Sequence, residues 1–269
     1  SVLMMENKVV TKKVLERAGI SVPGGYEYTS PEAGMADYRL YAGKPVVIKP
    51  KSTNFGLGIT ILKHNYDETD FKAALQIAFE HDNTVRIEKF IPGREFRIFI
   101  INDEVVGILH RVPANVTGDG VLNIGQLIDR KNEDPLRGKG YRTPLEKIRK
   151  GREEEMFLKQ QGMDFNTVPK EREVVYLREN SNISTGGDSI DFTDDIDDSY
   201  KAIAVEAAKA LNVKITGLDM MIQDIHAPAT PDNYAIIEMN FNPAIHIHCY
   251  PFKGKNRHLN HKMIKALGF

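Results

Sequence analysis

The sequence has a single cysteine, Cys249, in 269 residues, and one thiol cannot close an internal disulfide. No stretch of 18 apolar residues and no charged-then-apolar leader stands near the start, so no membrane partner is expected and the expected compartment is the reducing cytoplasm. An excess of positive charge is also missing: Lys+Arg is 36 against Asp+Glu 37, a net charge of -1. General nucleic-acid binding, which rests on neutralising backbone phosphates, is therefore not expected. Gly (21) and Pro (13) are too few for a fibrous or disordered chain, and no internal repeat or low-complexity linker is present. What remains is ordinary globular usage, 41% hydrophobic and 27% charged, enough for one large two-lobed domain or two small ones. Position 1 is Ser rather than Met, which points to a processed or excised piece of a longer chain.

Periodicity then places the elements. Val10, Val14, Leu15 and Ala18 recur at helical spacing after Asn7, a good cap, and before Gly19; Lys8 and Lys12 share one face of that helix. The β-branched run from Pro45 to Lys49 reads as a buried strand closed by Pro50, and Ile59 to Leu62 resumes strand character after the loop KSTNFGLG. A helix is predicted over Asp67 to Phe79, a strand over Thr84 to Glu88, and a hairpin of Glu95 to Ile101 with Glu104 to Arg111 around Asn102-Asp103. From Pro113 to about Gly151 the composition is rich in Gly, Pro, Asp and Arg with one clear short helix, which reads as an excursion over the surface. A helical patch within Gly151 to Arg172 and a strand over Glu173 to Arg178 follow, then a helix with Asp198 as its predicted cap and Tyr200, Ile203, Ala204, Ala207, Ala208 and Leu211 on one face. Strands and helices alternate without a βαβ rhythm, so the expected fold class is α+β.

The C-terminal segments GLDMMIQ (Gly217 to Gln223) and YAIIEMNFNP (Tyr234 to Pro243) carry the strongest local signal. Closed symmetrically as a hairpin, they pair Gln223 with Tyr234, Met221 with Ile236, and Asp219 with Glu238. Strand alternation then turns Asp219, Glu238 and Asn240 to one side and Met220, Ile222, Ile237 and Met239 to the other. Two carboxylates about 4 Å apart repel by about 4 kcal/mol at an effective dielectric of about 20, which calls for a proton, a cation or another compensating charge. An all-oxygen donor set suits Mg²⁺ or Mn²⁺ rather than Zn²⁺; an ordinary exposed sheet face is the other reading. A metal held by few carboxylates commonly awaits phosphate oxygens. Lys49, at a strand end before the Gly56/Gly58 loop, can meet phosphate while loop amides close over it, and Lys8 can make a second contact. No Walker A pattern is present. The segment Glu88 to Glu95 reads as strand, hinge, turn and strand, whose unpaired backbone groups can read a base edge with Phe90 and Ile91 over its face and Glu95 near ribose hydroxyls.

The stretches RVPANVTGDG (Arg111 to Gly120), LIDRKNEDPLRGKGYRTPLEKI (Leu127 to Ile148), NSNISTGGDSIDFTDD (Asn180 to Asp195) and IIEMNFNPAIHIHCYPFKGK (Ile236 to Lys255) resemble the C-terminal ATP-grasp half of the bacterial bifunctional glutamate-cysteine ligase/glutathione synthetases. Cyanophycin synthetases share several of these stretches, and the C-terminal HIHCYPFKGK separates the two families. The resemblance implies an ATP-grasp fold of two α+β lobes, 1–92 and 93–269, with the nucleotide between them. It implies ATP and Mg²⁺ or Mn²⁺ as cofactors, and a reaction in which ATP activates the carboxylate of γ-glutamylcysteine as an acyl phosphate that glycine's amine attacks. Lys8 and Lys49 would hold phosphates under Gly56 and Gly58. Glu88, Lys89 and Ile91 would hold adenine, and Glu95 the ribose. Asp219, Glu238 and Asn240 would hold the metal, and Arg111, Arg178, Asn180 and Asn182 the transferred phosphoryl group and the carboxylate, guanidinium forks being suited to both anions. D-alanyl-D-alanine ligases place an arginine two residues before the metal-binding Asp, where this sequence has Gly217, so the oxyanion partner must come from elsewhere. A glutamate-cysteine ligase domain preceding this one is an expected partner, and a homodimer stays open. A cyanophycin-type ligase and an ATP-binding module dependent on an absent domain are the alternatives.

Four other groups have a structural reading. His246, His248, Cys249, His258 and His261 lack zinc-finger spacing, and Asn240 and Asn242 favour a hard-metal or substrate role there. Asp191, Asp194, Asp195, Asp197 and Asp198 lack the Gly and Glu of a calcium loop and suit helix capping. Lys12, Lys13 and Lys147 to Arg152 read as solvated faces, and Thr185-Gly186-Gly187 as an anion nest or a turn.

Overall fold

Helix α1 (Lys8–Arg17) begins at its predicted cap: the Asn7 side chain accepts the amides of Val9 at 3.1 Å and Val10 at 3.2 Å. The computed structural model describes residues 5, 7–52, 58–63, 65–179 and 181–268. Beyond α1 come β1 (Gly25–Tyr28), α2 (Pro31–Ala36), α3 (Tyr38–Tyr41), β2 (Val46–Pro50), β3 (Thr60–Leu62), α4 (Glu68–Phe79) and β4 (Val85–Lys89). The four strands form an antiparallel sheet in the order β1-β4-β2-β3. Along β2, Val46, Ile48 and Pro50 are buried while Val47 and Lys49 lie on the other side, the alternation of a strand with one covered face. Helix α4, held at its start by a capping box between Asp67 and Asp70, supplies the cover. Its Phe71 is fully buried among the rings of Tyr38, Tyr41 and Tyr66, with centroids 5.2, 5.7 and 6.3 Å away.

Residues Phe90 to Gly93 join this sheet to the second. Gly93 has φ +127°, and a Cβ there would fall 2.3 Å from the Ile222 carbonyl oxygen, so the close approach of the connection to the second sheet requires glycine. The hairpin of β5 (Arg94–Ile101) and β6 (Glu104–Val112) closes on Asn102 and Asp103, with φ 47° and 66°, the pair of left-handed residues that a type I′ turn needs.

The stretch expected to run over the surface is larger and better packed than its composition suggested. It holds β7 (Asn115–Thr117), α5 (Ile124–Lys131), β8 (Arg137–Gly138), β9 (Leu145–Glu146), α6 (Arg152–Gln160) and β10 (Val174–Tyr176). Ile124, Leu127, Ile128, Ile148, Leu158, Val175 and Leu177 give it a core of its own. We refer to it as the arm. Its root is Asp188 on β11 (Asp188–Asp191), which accepts from Lys131 Nζ at 2.7 Å, Asn115 Nδ2 at 3.0 Å and the Arg137 guanidinium.

Helix α7 (Asp198–Ala210) is capped by Asp197, one residue earlier than predicted, through the Ser199 amide at 2.9 Å. Asp191 and Asp194 do not cap; both accept from Arg257, which fixes the C-terminal segment against β11. Strands β12 (Ile215–Ile222) and β13 (Tyr234–Asn240) complete a five-stranded antiparallel sheet, β11-β6-β5-β12-β13. Its one face packs on α7 and α1, with Leu15, Phe96, Ile98, Tyr200, Leu218 and Ile236 in a common core. Helix α1, expected in a lobe spanning 1–92, thus packs with the second sheet. At the far end of the other face, α8 (His246–Cys249) and α9 (Leu259–Ala266) cover Phe99, Ile101 and Val106.

The predicted β12/β13 register holds at Asp219↔Glu238 and Gly217↔Asn240, then slips by one. An irregularity after Asp219 pairs Met220 with Ile236, Met221 with Ala235 and Ile222 with Tyr234, in place of the expected Met221–Ile236 and Gln223–Tyr234 pairs. A bulge reverses the faces beyond it. Ile236 accordingly takes the core position expected of Ile237, and Ile237 lines the cleft beside Glu238.

Phe71→Ala should lower the unfolding free energy by about 3–5 kcal/mol in urea titrations; a loss below about 1 kcal/mol would show that the aromatic cluster does not hold the first lobe.

Candidate active site

The uncovered face of the first sheet, the near end of the second, and the arm enclose a cleft. Its charged side is a cavity of about 660 Å³ reached by Lys8, Lys12, Lys49, Arg111, Asp219 and Glu238. It continues into a second region of about 920 Å³, bounded by Val47, Phe90, Ile91, Tyr176 and Met221. Charge at one end and apolar walls at the other match a ligand with an anionic and a flat hydrophobic part.

The floor is built around Asp219, 3% exposed. The β5–β12 register sets Arg97 directly across from it, and the Arg97 guanidinium takes both carboxylate oxygens, Nη2 to Oδ2 at 2.8 Å and Nε to Oδ1. Arg111 on β6 adds Nη2 to the same Oδ2 at 3.3 Å and also donates to Glu95. Burial pushes the Asp219 carboxyl upward, but the two guanidiniums outweigh it and hold it below the usual carboxylate range. Arg97 escaped the sequence reading because it lies 122 residues from its partner; the available signal was the hairpin strand REFRIFII, had it been set beside GLDMMIQ. A Cβ at Gly217 would lie 2.7 Å from Pro243 Cβ and 3.4 Å from Arg97 Cδ. The guanidinium on this face thus comes from β5, across the space a side chain at 217 would need.

The wall from the first sheet is cationic around one carboxylate. Glu88, 3% exposed, is bonded to Lys12 Nζ, lies 2.7 Å from Lys49 Nζ, and is 3.5 Å from Arg86 Nη1. Burial raises its pKa, but Lys49 and Lys12 together bring it down to about 2. Lys12, read from the sequence as a solvated residue, is buried at 8% exposure, because the helix face it shares with Lys8 looks into the cleft. Burial lowers it to about 8 against the upward pull of Glu88. Lys8 lies 3.3 Å from Glu238 Oε1.

Of the remaining candidates, Gly56 and Asn180 lie outside the described residues. Gly58 has φ +73° and packs against Pro50 and His81. The Glu88 carboxylate is turned to the two lysines rather than left open for a base, and the Lys89 amide donates to Gly24 O at 2.8 Å. Ile91 borders the apolar region, and Glu95 sits where the two regions join. From the arm, Arg178 reaches the cleft but is held by Glu153 and by Glu154 Oε1 at 2.6 Å. Asn182 borders the charged cavity, and its carbonyl accepts the amides of Thr185 and Gly187.

The donor set suits a hard cation. Asp219 and Glu238 face each other across the strand pair, and the Asn240 Nδ2 is buried without a partner among the described residues. An amide whose nitrogen finds no acceptor can turn its oxygen to a metal. No group of three or more His, Cys, Asp and Glu side chains forms a metal cage among the described residues, so an ion here needs phosphate or water oxygens as well. The histidines sit apart from it. His248 is fully buried with neither ring nitrogen bonded among the described residues, edge-on to Phe99. Burial, with Arg97 adding to it, lowers His248 to about 3, and burial with Arg94 lowers His110 to about 4.

Residues 27–123 match the family model of the D-ala D-ala ligase C-terminus. The chain is 62% identical over its whole length to the glutathione biosynthesis bifunctional protein GshAB of Desulfotalea psychrophila, of which it covers 34%. A crystal structure of a bifunctional glutathione synthetase from Pasteurella multocida superposes with a TM-score of 0.78 at 49% identity, over 99% of this chain and 37% of that one. The ATP-grasp ligase PsnB, complexed with minimal precursor, shares the fold at a TM-score of 0.52 and 15% identity, over 98% of this chain and 62% of that one. The chain spans about a third of the length of the bifunctional relatives. No described helix is long and apolar enough to cross a membrane.

Both depressed imidazoles are neutral in the folded protein, whereas the unfolded chain takes up protons below about 6.5. Their stabilisation is complete above that value and is lost as pH falls toward about 4 and 3. Between pH 6.5 and 5 the unfolding free energy should drop by about 2 kcal/mol per imidazole, measured by urea titration. His248→Gln should flatten the drop by that amount, and an equally steep drop in the variant would contradict the assignment.

Proposed function

We propose, for a chain with the ATP-grasp fold that matches a third of the bifunctional glutathione biosynthesis proteins, that it performs the glutathione-synthetase step: γ-glutamylcysteine + glycine + ATP give glutathione, ADP and phosphate. The observation that carries this reading is the opposition across one cleft of a lysine-rich wall and a floor where Asp219 and Glu238 stand side by side in register. A carboxylate is a poor electrophile at neutral pH, and conversion to an acyl phosphate gives it a leaving group. Lys8 and Lys49 bind phosphate oxygens. The apolar region behind Phe90, Ile91 and Met221 takes the base, with Glu95 at the ribose. Arg111, between Glu95 and Asp219, is placed to stabilise the transferred phosphoryl group, and Arg178 and Asn182 face the carboxylate substrate from the arm side. Asp219, Glu238 and Asn240 would hold Mg²⁺ or Mn²⁺, which neutralises phosphate charge when bound. A glutamate-cysteine ligase domain in the longer cytoplasmic protein would supply γ-glutamylcysteine.

The test is ADP release with γ-glutamylcysteine and glycine together, against each alone. The expected result is release that needs both, with Arg111→Met lowering kcat about 10²-fold and ATP binding little changed. Turnover with an aspartate-containing peptide and arginine would favour a cyanophycin-type ligase instead. Thermal stabilisation by nucleotide without turnover would favour a binding module that works only with its partner domain.

A further inference from the structure

Among the described lysines of the cleft, Lys12 alone reaches from a helix of the second lobe to a carboxylate of the first sheet. Its helix is anchored in the second lobe, where Leu15 joins the core with β12, β13 and α7. Its ammonium nevertheless crosses to Glu88 on β4 of the first sheet. That carboxylate already has Lys49 at 2.7 Å and Arg86 at 3.5 Å. Arg86 also pairs with Glu27 at 3.1 Å, and Glu27 takes Lys51 at 3.0 Å. Four cations, Lys12, Lys49, Lys51 and Arg86, therefore answer to two carboxylates, Glu27 and Glu88. The surplus faces the charged cavity, which all four cations border. Positive charge held in a partly buried wall without its full complement of anions is unfavourable, and an arriving anion relieves it.

We propose that Lys12 is a polyphosphate-binding residue of the second lobe that, through Glu88, couples the charge of a nucleoside triphosphate to the seating of the first lobe. This rests on the reading of the cleft as a nucleotide site. Before nucleotide arrives Lys12 holds the first sheet through Glu88. With nucleotide present its ammonium is shared between Glu88 and a phosphate oxygen, while Lys49 leaves Glu88 for the phosphates from the opposite lobe. Both lobes then bear on one anion, which neither lysine alone could achieve. Removal of Lys12 leaves Glu88 paired with Lys49 and Arg86, so the carboxylate is not stranded.

The charged groups facing Lys12 are Glu88 and Arg86 from β4, Lys49 from β2, Lys8 from its own helix and Glu238 from β13. In this setting its pKa of about 8 adds a signature. Wild-type affinity for ATP should fall by up to about tenfold between pH 7 and pH 9 as the ammonium loses its proton, whereas Lys12→Arg should hold level.

The experiment is calorimetric titration of Mg-ATP into wild type, Lys12→Met and Lys12→Arg, with adenosine binding followed by NMR as the phosphate-free control. The expected result is ATP affinity reduced about tenfold or more in Lys12→Met, adenosine affinity unchanged, and ATP binding retained in Lys12→Arg. A Lys12→Met chain that binds ATP as the wild type does, or loses ATP and adenosine by the same factor, overturns the proposal alone. A wild-type chain that binds no ATP overturns the nucleotide reading and this proposal with it.

Discussion

A carboxylate in the middle of a five-stranded sheet must keep its charge compensated, and at Asp219 this requirement organises the whole floor of the cleft. The guanidiniums come from two different strands, Arg97 on β5 and Arg111 on β6. They meet Asp219 only if the β5/β6 hairpin and the β5–β12 register are both correct. Stripping the partners from such a buried ion is among the costly single changes a fold can suffer, about 3–5 kcal/mol. The Asn102-Asp103 turn and the close approach of Gly93 to Ile222 are the local devices that secure this alignment. Because Arg111 also holds Glu95, the floor is one network from Glu95 to Asp219.

The opposite wall follows the reverse logic. On the first sheet Glu88 is the buried anion, and cations gather about it in excess. On the proposed reading a triphosphate with a divalent cation would lie between the two walls, its anionic oxygens toward the surplus cations and its metal toward Asp219 and Glu238. The arm closes the third side, with Arg178 poised over the cleft by Glu153 and Glu154. Lys8 pairs with Glu238 and Lys49 with Glu88 across the cleft. On the proposed reading these are the groups that would turn to the phosphates and the metal.

Much of this was legible in the sequence where the signal is local. The Asn7 cap, the α4 periodicity, the Asn102-Asp103 turn and the Asp219–Glu238 pairing each depend on residues within one element or one hairpin. What was not legible depends on contacts across the chain. Lys12 reads as solvated until β4, 76 residues away, brings Glu88 to it. Arg97 reads as one more polar strand residue until β12 is laid beside β5. Ile237 was assigned to the wrong face because a bulge leaves no periodic trace. The arm hid its core because each of its elements is nine residues or fewer, too short for a hydrophobic pattern to stand out from a loop.

On the proposed reading the Asp219–Glu238 pair, which Arg97, Arg111 and Lys8 neutralise, would hold a nucleotide-bound divalent cation. The most direct measurement is electron paramagnetic resonance titration of Mn²⁺ in the presence of ADP, with wild type, Glu238→Gln and Asp219→Asn compared after each is shown to be folded. Tight, nucleotide-dependent Mn²⁺ binding is expected in the wild type, with a loss of about tenfold or more in each variant. Mn²⁺ binding that is undiminished in both folded variants would contradict it.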